Sequence, residues 1–178
     1  LNKYYINDVP FSLSNKKAIS VMDEHGVEKG YITKSKLSNL EKGSVFSYTC
    51  TENQQSFILG IKKNGLKRFV LAEYELLFEQ DSYYLSDNIG KNLLYFSVDG
   101  KWNDQDILFE ENWSGDIELK VNKVHMATIK INDGIFKTVF EFSESLEESN
   151  IIFAATFLMY FMVKIYNEET AIIEELFF

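Results

Sequence analysis

Nucleophilic chemistry has few carriers in this sequence: one cysteine, Cys50, and two histidines, His25 and His125. A Cys–His pair would need the imidazole to take the thiol proton, because the thiolate is the reactive species. Cys50 instead ends an alternating Phe46, Tyr48, Cys50 register and reads as a small buried hydrophobe. His125 falls within another alternating run. A single cysteine also excludes an intrachain disulfide framework and a multi-cysteine zinc site. The sequence therefore assigns no catalytic residue, no metal ligand set and no cofactor.

Phosphate chemistry is suggested by the spacing of Gly60-Ile61-Lys62-Lys63-Asn64-Gly65. A phosphate-cradling loop requires lysine and then serine or threonine next, followed by a helix whose N-terminus faces the phosphates. Here Leu66-Lys67-Arg68 follows, and Phe69-Val70-Leu71-Ala72 reads as a strand. The match is accidental. Asp99, Asn103, Asp104, Asp106, Glu110 and Glu111 gather oxygen ligands, but without the sixth-position glycine of a calcium-binding loop. They read as a solvated connection between strands.

Lys62, Lys63, Lys67 and Arg68 form the densest basic cluster and include the chain's sole arginine. Such a cluster could hold an anionic headgroup through charge-assisted contacts. The plainer reading is that lysines beside a hairpin keep a strand edge from pairing with another chain. Phe57, Phe69, Trp102 and Trp113 could line a lipid groove, although aromatic residues more commonly fill the core.

Composition limits the frame that must position these groups. The chain has 178 residues, is 46% hydrophobic and 15% aromatic, and carries a formal charge of −9. It can fill a core, and its acidity argues against general nucleic-acid binding, which depends on neutralising phosphates. With one proline and nine glycines it is neither collagen-like nor a flexible linker. Leu1-Asn2-Lys3-Tyr4-Tyr5 lacks the basic-then-apolar order of a secretory signal.

From residue 4 to residue 142 the hydrophobic period is two, as in half-buried antiparallel strands. Ile117, Leu119 and Val121 alternate with Glu118, Lys120 and Asn122, and similar runs recur. Asn64-Gly65, Asp99-Gly100 and Asp133-Gly134 read as two-residue hairpin turns, and Asp23-Glu24-His25-Gly26 as a looser one. The spacing predicts strands near 4–7, 18–23, 28–34, 45–50, 56–63 and 67–78. Further strands are expected near 82–86, 93–98, 106–111, 116–122, 124–132 and 135–142. A helical turn could form between Ser35 and Gly43.

Near residue 145 the pattern changes. Ser145-Leu146-Glu147-Glu148 matches a capping box, with Ser149 or Asn150 as alternative caps. Ile151 to Val163 is continuously apolar until Lys164 interrupts it, shorter than the roughly 20 residues of a membrane span. A helix apolar on all sides needs apolar neighbours on all sides. The inner faces of a dozen strands supply them. The expected fold is all-β with one long helix: an antiparallel barrel of about twelve strands enclosing a hydrophobic C-terminal helix. One domain is expected over 1–178, with strands over about 4–142, the helix over about 147–166 and a tail over 167–178.

Ile19 to Gly26 followed by Gly30-Tyr31-Ile32, then Tyr95 to Lys101, Asp116 to Lys120 and Val124 to Lys130, precede a last strand and an apolar helix. In that order these patterns resemble the tubby C-terminal-like superfamily, which includes phospholipid scramblases and LURP-one-related proteins. The resemblance covers roughly residues 4–166. It implies a twelve-strand barrel around a helix and a non-enzymatic binding or scaffold role that can involve phospholipid headgroups. The basic phosphoinositide pocket of tubby proteins does not map onto this chain residue by residue.

The expected function is thus a binding or scaffold module contacting anionic phospholipid at a membrane surface, with Lys62, Lys63, Lys67 and Arg68 as the headgroup site. A protein–protein module without lipid ligand is the second reading. An enzyme of unidentified chemistry is the third. Partners are expected to exclude nucleic acid, and localisation to be cytoplasmic or peripheral at the membrane rather than transmembrane.

Overall fold

Alternation of apolar and polar side chains dictates strands here, and the computed structural model forms twelve of them. It describes residues 1–7, 18–63, 71–88, 95–131, 137–147 and 150–177, with side chains described as far as 169. The strands are β1 (Asn2–Asn7), β2 (Ile19–Asp23), β3 (Glu28–Lys34) and β4 (Phe46–Cys50). Next come β5 (Ser56–Ile61), β6 (Glu73–Phe78), β7 (Asp81–Asp87) and β8 (Ser97–Trp102). The last are β9 (Gln105–Glu111), β10 (Ile117–Val121), β11 (Val124–Lys130) and β12 (Lys137–Phe142), followed by the helix α1 (Ile151–Phe177).

Each strand pairs antiparallel with its neighbours in sequence, and β1 pairs with β12 from Asn2↔Phe142 to Asn7↔Lys137. The sheet is a closed barrel. Closure leaves no free sheet edge. Alternation sends Ile117, Leu119 and Val121 inward, whereas Glu118 and Lys120 face out.

The alternating chain direction gives the barrel two unlike ends. At one, the turn end, the connections are 24–27, 51–55, 79–80, 103–104 and 122–123, and 143–150 leads into α1. The other, the loop end, takes the connections between β1 and β2, β3 and β4, β5 and β6, β7 and β8, β9 and β10, and β11 and β12, among them 35–45 and 112–116. The helix enters at the turn end, where Phe153 packs against Tyr4 and Phe142. Phe161 stacks on Phe46 further along, and Tyr166 meets Phe96 at the loop end.

Every residue from Ile152 to Val163 is buried. By length and composition Ile151–Glu169 could cross a membrane, yet here it is a barrel core. Its all-round apolarity satisfies the inner strand faces on every side. Each fully buried large side chain contributes about 1.5–3 kcal/mol.

Several local expectations are corrected. Asp99-Gly100 is no turn but lies inside β8, displacing the strand expected at 93–98. The turn falls at Asn103–Asp104, whose φ angles are +47° and +65°. Asparagine and aspartate tolerate this left-handed conformation, so they form the hairpin without glycine. Gly100 serves close approach instead: a Cβ there would lie 2.3 Å from the Tyr84 carbonyl oxygen.

The helix is capped by Asn150, whose Oδ1 accepts the Ile152 N–H at 2.9 Å, and not by Ser145. It starts later than 147 and continues through 177, absorbing most of the expected tail. Ser35–Gly43 forms turns and a single bridge, Leu40↔Lys62, in place of a helical turn. Asn64-Gly65, Asp133-Gly134 and Glu148 lie outside the described residues.

Candidate anion-binding face

The connection 35–45 is laid against the outer surface of β5, and the sequence explains why. Gly60 faces outward without a side chain, so a Cβ there would meet Leu40 Cδ1 at 3.0 Å and Val45 Cγ2 at 3.1 Å. Leu40 and Val45 are buried in that space. Ser44 Oγ accepts the Ile61 N–H at 3.2 Å and donates to the Glu41 carbonyl at 2.9 Å. The Glu41 N–H donates to the Ile61 carbonyl at 2.7 Å. These bonds satisfy backbone groups that burial would otherwise leave unpaired.

One buried carboxylate secures this arrangement from the side. Glu75 is 5% exposed although its strand position faces outward. Its Oε2 accepts Asn39 Nδ2 at 3.0 Å, and its Oε1 accepts the Tyr84 hydroxyl at 3.2 Å. Period-two alternation with the buried Tyr74 and Leu76 would by itself leave Glu75 facing water. Nothing local signals that a loop thirty-six residues upstream covers it.

The four proposed headgroup residues fare differently. Lys62 Nζ lies 3.5 Å from Glu73 and 5.2 Å from the centre of the Tyr84 ring. Lys63 Nζ donates to the Ser38 carbonyl at 2.8 Å. Adjacent in sequence, the two lysines thus take different partners. Lys67 and Arg68 lie outside the described residues. Lys36 and Lys42, which the sequence reading did not single out, stand exposed on the connection that the Leu40↔Lys62 bridge brings alongside Lys62. Their signal lies in the fold and not in their spacing.

The remaining candidates are dispersed. Cys50 is 3% exposed at the turn end of β4. His25 and His125 are exposed, and His125 Nε2 shares a hydrogen bond with Thr128 Oγ1 at 2.8 Å. The acidic cluster is spread along the β8–β9 hairpin and its oxygens serve separate partners. Asp99 accepts Asn88, and Glu111 accepts the Phe96 N–H. Glu110 binds Lys120 at 2.8 Å, and this bond, with a second from Glu118, raises the ammonium pKa. The Asn112 amide, then Lys120, lowers that of Glu118. Among the described residues no three metal-ligating side chains converge.

Phe57 and Trp102 are core, and Trp102 Nε1 donates to the Tyr84 carbonyl at 3.0 Å. Phe69 lies outside the described residues. Trp113 is wholly exposed in the β9–β10 connection. Asn112 Oδ1 fixes that turn by accepting the N–H groups of Ser114 and Asp116.

The fold defines a class: a closed antiparallel barrel filled by its own C-terminal helix. Comparison of the chain with protein-family models, curated proteins and solved structures finds no match.

Proposed function

We propose that this protein is a non-enzymatic binding module of the tubby C-terminal-like kind that contacts anionic phospholipid headgroups from outside the barrel. The observation that carries this reading is the helix in the lumen. Phe157 touches the rings of Tyr4, Tyr48, Phe140, Phe142 and Phe153, filling the space where many barrels hold a ligand. Recognition then belongs to the outer surface, and the cations that exit β5 sit there. The Lys62–Glu73 pair is an exposed contact worth little in water, so a headgroup can compete for the lysine.

Co-sedimentation with neutral vesicles and with vesicles containing phosphatidylserine, at low and high salt, tests this reading. Binding that requires the anionic lipid and fades with salt supports it. Equal recovery with both vesicle types overturns it. Replacing Lys62, Lys63, Lys67 and Arg68 together with glutamine should leave folding intact and abolish association.

Trp113 favours a second reading, a protein-interaction module. A fully exposed tryptophan on a turn fixed by Asn112 offers a large, pre-ordered apolar contact. Under that reading Trp113→Ala removes partner binding, and the protein ignores vesicles of either charge.

A further inference from the structure

Among the described connections, charge is unevenly distributed along the barrel axis. Glu24, Glu52, Glu79, Asp104, Glu144 and Glu147 stand exposed in the turn-end connections, where Lys123 is the one described lysine; beside them Lys101 of β8 lies 3.9 Å from Asp104 and the Leu1 ammonium 2.8 Å from Glu144. At the loop end, the connection 35–45 and the exit of β5 present Lys36, Lys42, Lys62 and Lys63 within one bonded unit. That unit is held by the Leu40↔Lys62 bridge, the Lys63 N–H on the Asn39 carbonyl and Lys63 Nζ on the Ser38 carbonyl. Glu41 and Glu73 are the carboxylates beside it, and Glu73 pairs with Lys62. Glu75 is turned inward onto Asn39 and Tyr84. The helix leaves through the same end with Glu168 exposed, so the cationic area lies to one side of the axis, over β5.

We infer that the membrane-facing surface is this two-part platform, with Lys36 and Lys42 contributing as much as Lys62 and Lys63, and with the turn end directed away from the bilayer. The inference rests on the headgroup reading and specifies its face. Charge complementarity selects the occupant. A planar anionic bilayer offers many headgroups to a unit that carries four lysines, and its repulsion of the turn-end carboxylates turns the molecule the same way round. The loop that carries Lys36 and Lys42 is pre-ordered by Leu40, Ser44 and Val45, so docking need not order it.

The test compares wild type, the Lys36→Gln/Lys42→Gln variant and a turn-end control, Lys101→Gln/Lys123→Gln, on vesicles with and without phosphatidylserine. The expected result is a loss of ~10-fold or more in partitioning for the first variant, since each lysine near the surface matters comparably, and none for the control. Lysine acetylation with mass spectrometry gives an independent readout: vesicles should shield Lys36 and Lys42 and leave Lys101 and Lys123 open. If wild type binds anionic vesicles while Lys36→Gln/Lys42→Gln binds equally, the platform is wrong and the headgroup reading stands. If wild type does not bind the vesicles, both fail. Inhibition of vesicle binding by an equal concentration of inorganic phosphate would point to a soluble anion and overturn the bilayer as occupant.

Discussion

The ring of Tyr48 occupies the space that a side chain at Gly30 would need: a Cβ on Gly30 would lie 2.5 Å from Tyr48 Cε2 and 2.6 Å from the Thr49 carbonyl oxygen. Gly30 faces inward on β3, directly opposite Cys50 of β4. Its missing side chain lets Tyr48 lie flat enough to stack on Phe57 and on Phe157 of the helix. Gly30→Ala should therefore destabilise the protein by roughly 1–3 kcal/mol, because the clash involves backbone as well as ring. Urea unfolding followed by tyrosine and tryptophan fluorescence measures it. An unchanged midpoint would mean the ring packs elsewhere.

Phe157 is the hub of the helix–barrel contact, wholly buried and in ring contact with β1, β4 and β12. Phe157→Ala should cost about 3–5 kcal/mol, enough to unfold a marginal barrel. The milder Phe157→Leu should remain folded with a lowered Tm, separating loss of packing from failure to fold.

Thr138 carries a prediction of opposite sign. Its hydroxyl is wholly buried in β12, and among the described residues it has no hydrogen-bond partner. An unsatisfied buried hydroxyl costs about 1–3 kcal/mol. Valine has nearly the same shape and favours strands. Thr138→Val should raise Tm, whereas a fall would reveal a partner for the hydroxyl.

Glu141 links three strands on the outer surface. It meets Lys3 of β1 at 3.1 Å and Lys130 of β11 at 3.0 Å, across the seam where the barrel closes. Partial burial raises its pKa, but the two lysines outweigh that and hold the carboxyl below its ordinary value of 4.5. A lowered folded-state pKa means that the pairing stabilises the barrel above 4.5 and is lost as pH falls through the folded value. Glu141→Gln should be less stable than wild type at neutral pH. Its stability should also fall less steeply below 4.5, and the two unfolding curves should converge in acid. Parallel curves would show that the carboxylate does no closing work.

Period-two alternation and the shift to an all-apolar run were legible in the sequence because both are set by which side chains must leave water. They determined a many-stranded barrel around a C-terminal helix. Local turn chemistry was legible only in part: Asp99-Gly100 has the composition of a turn, but the glycine is required by the Tyr84 backbone on the next strand. The cap shifted to Asn150 for a related reason, since Leu146 is drawn into the core and the helix begins only beyond it.

Lys62 and Lys63 were legible as part of a basic cluster, but tertiary structure alone decided what surrounds them. Lys36 and Lys42 join Lys62 because a loop folds back on β5 over the gap at Gly60, and Glu75 is buried by the same movement. These contacts join residues far apart in the chain, so no local pattern encodes them. The separation of acidic turns from the basic platform likewise follows from alternating strand direction, which sends successive connections to opposite ends. A sequence lists its charges in order, and only the closed barrel sorts them by end.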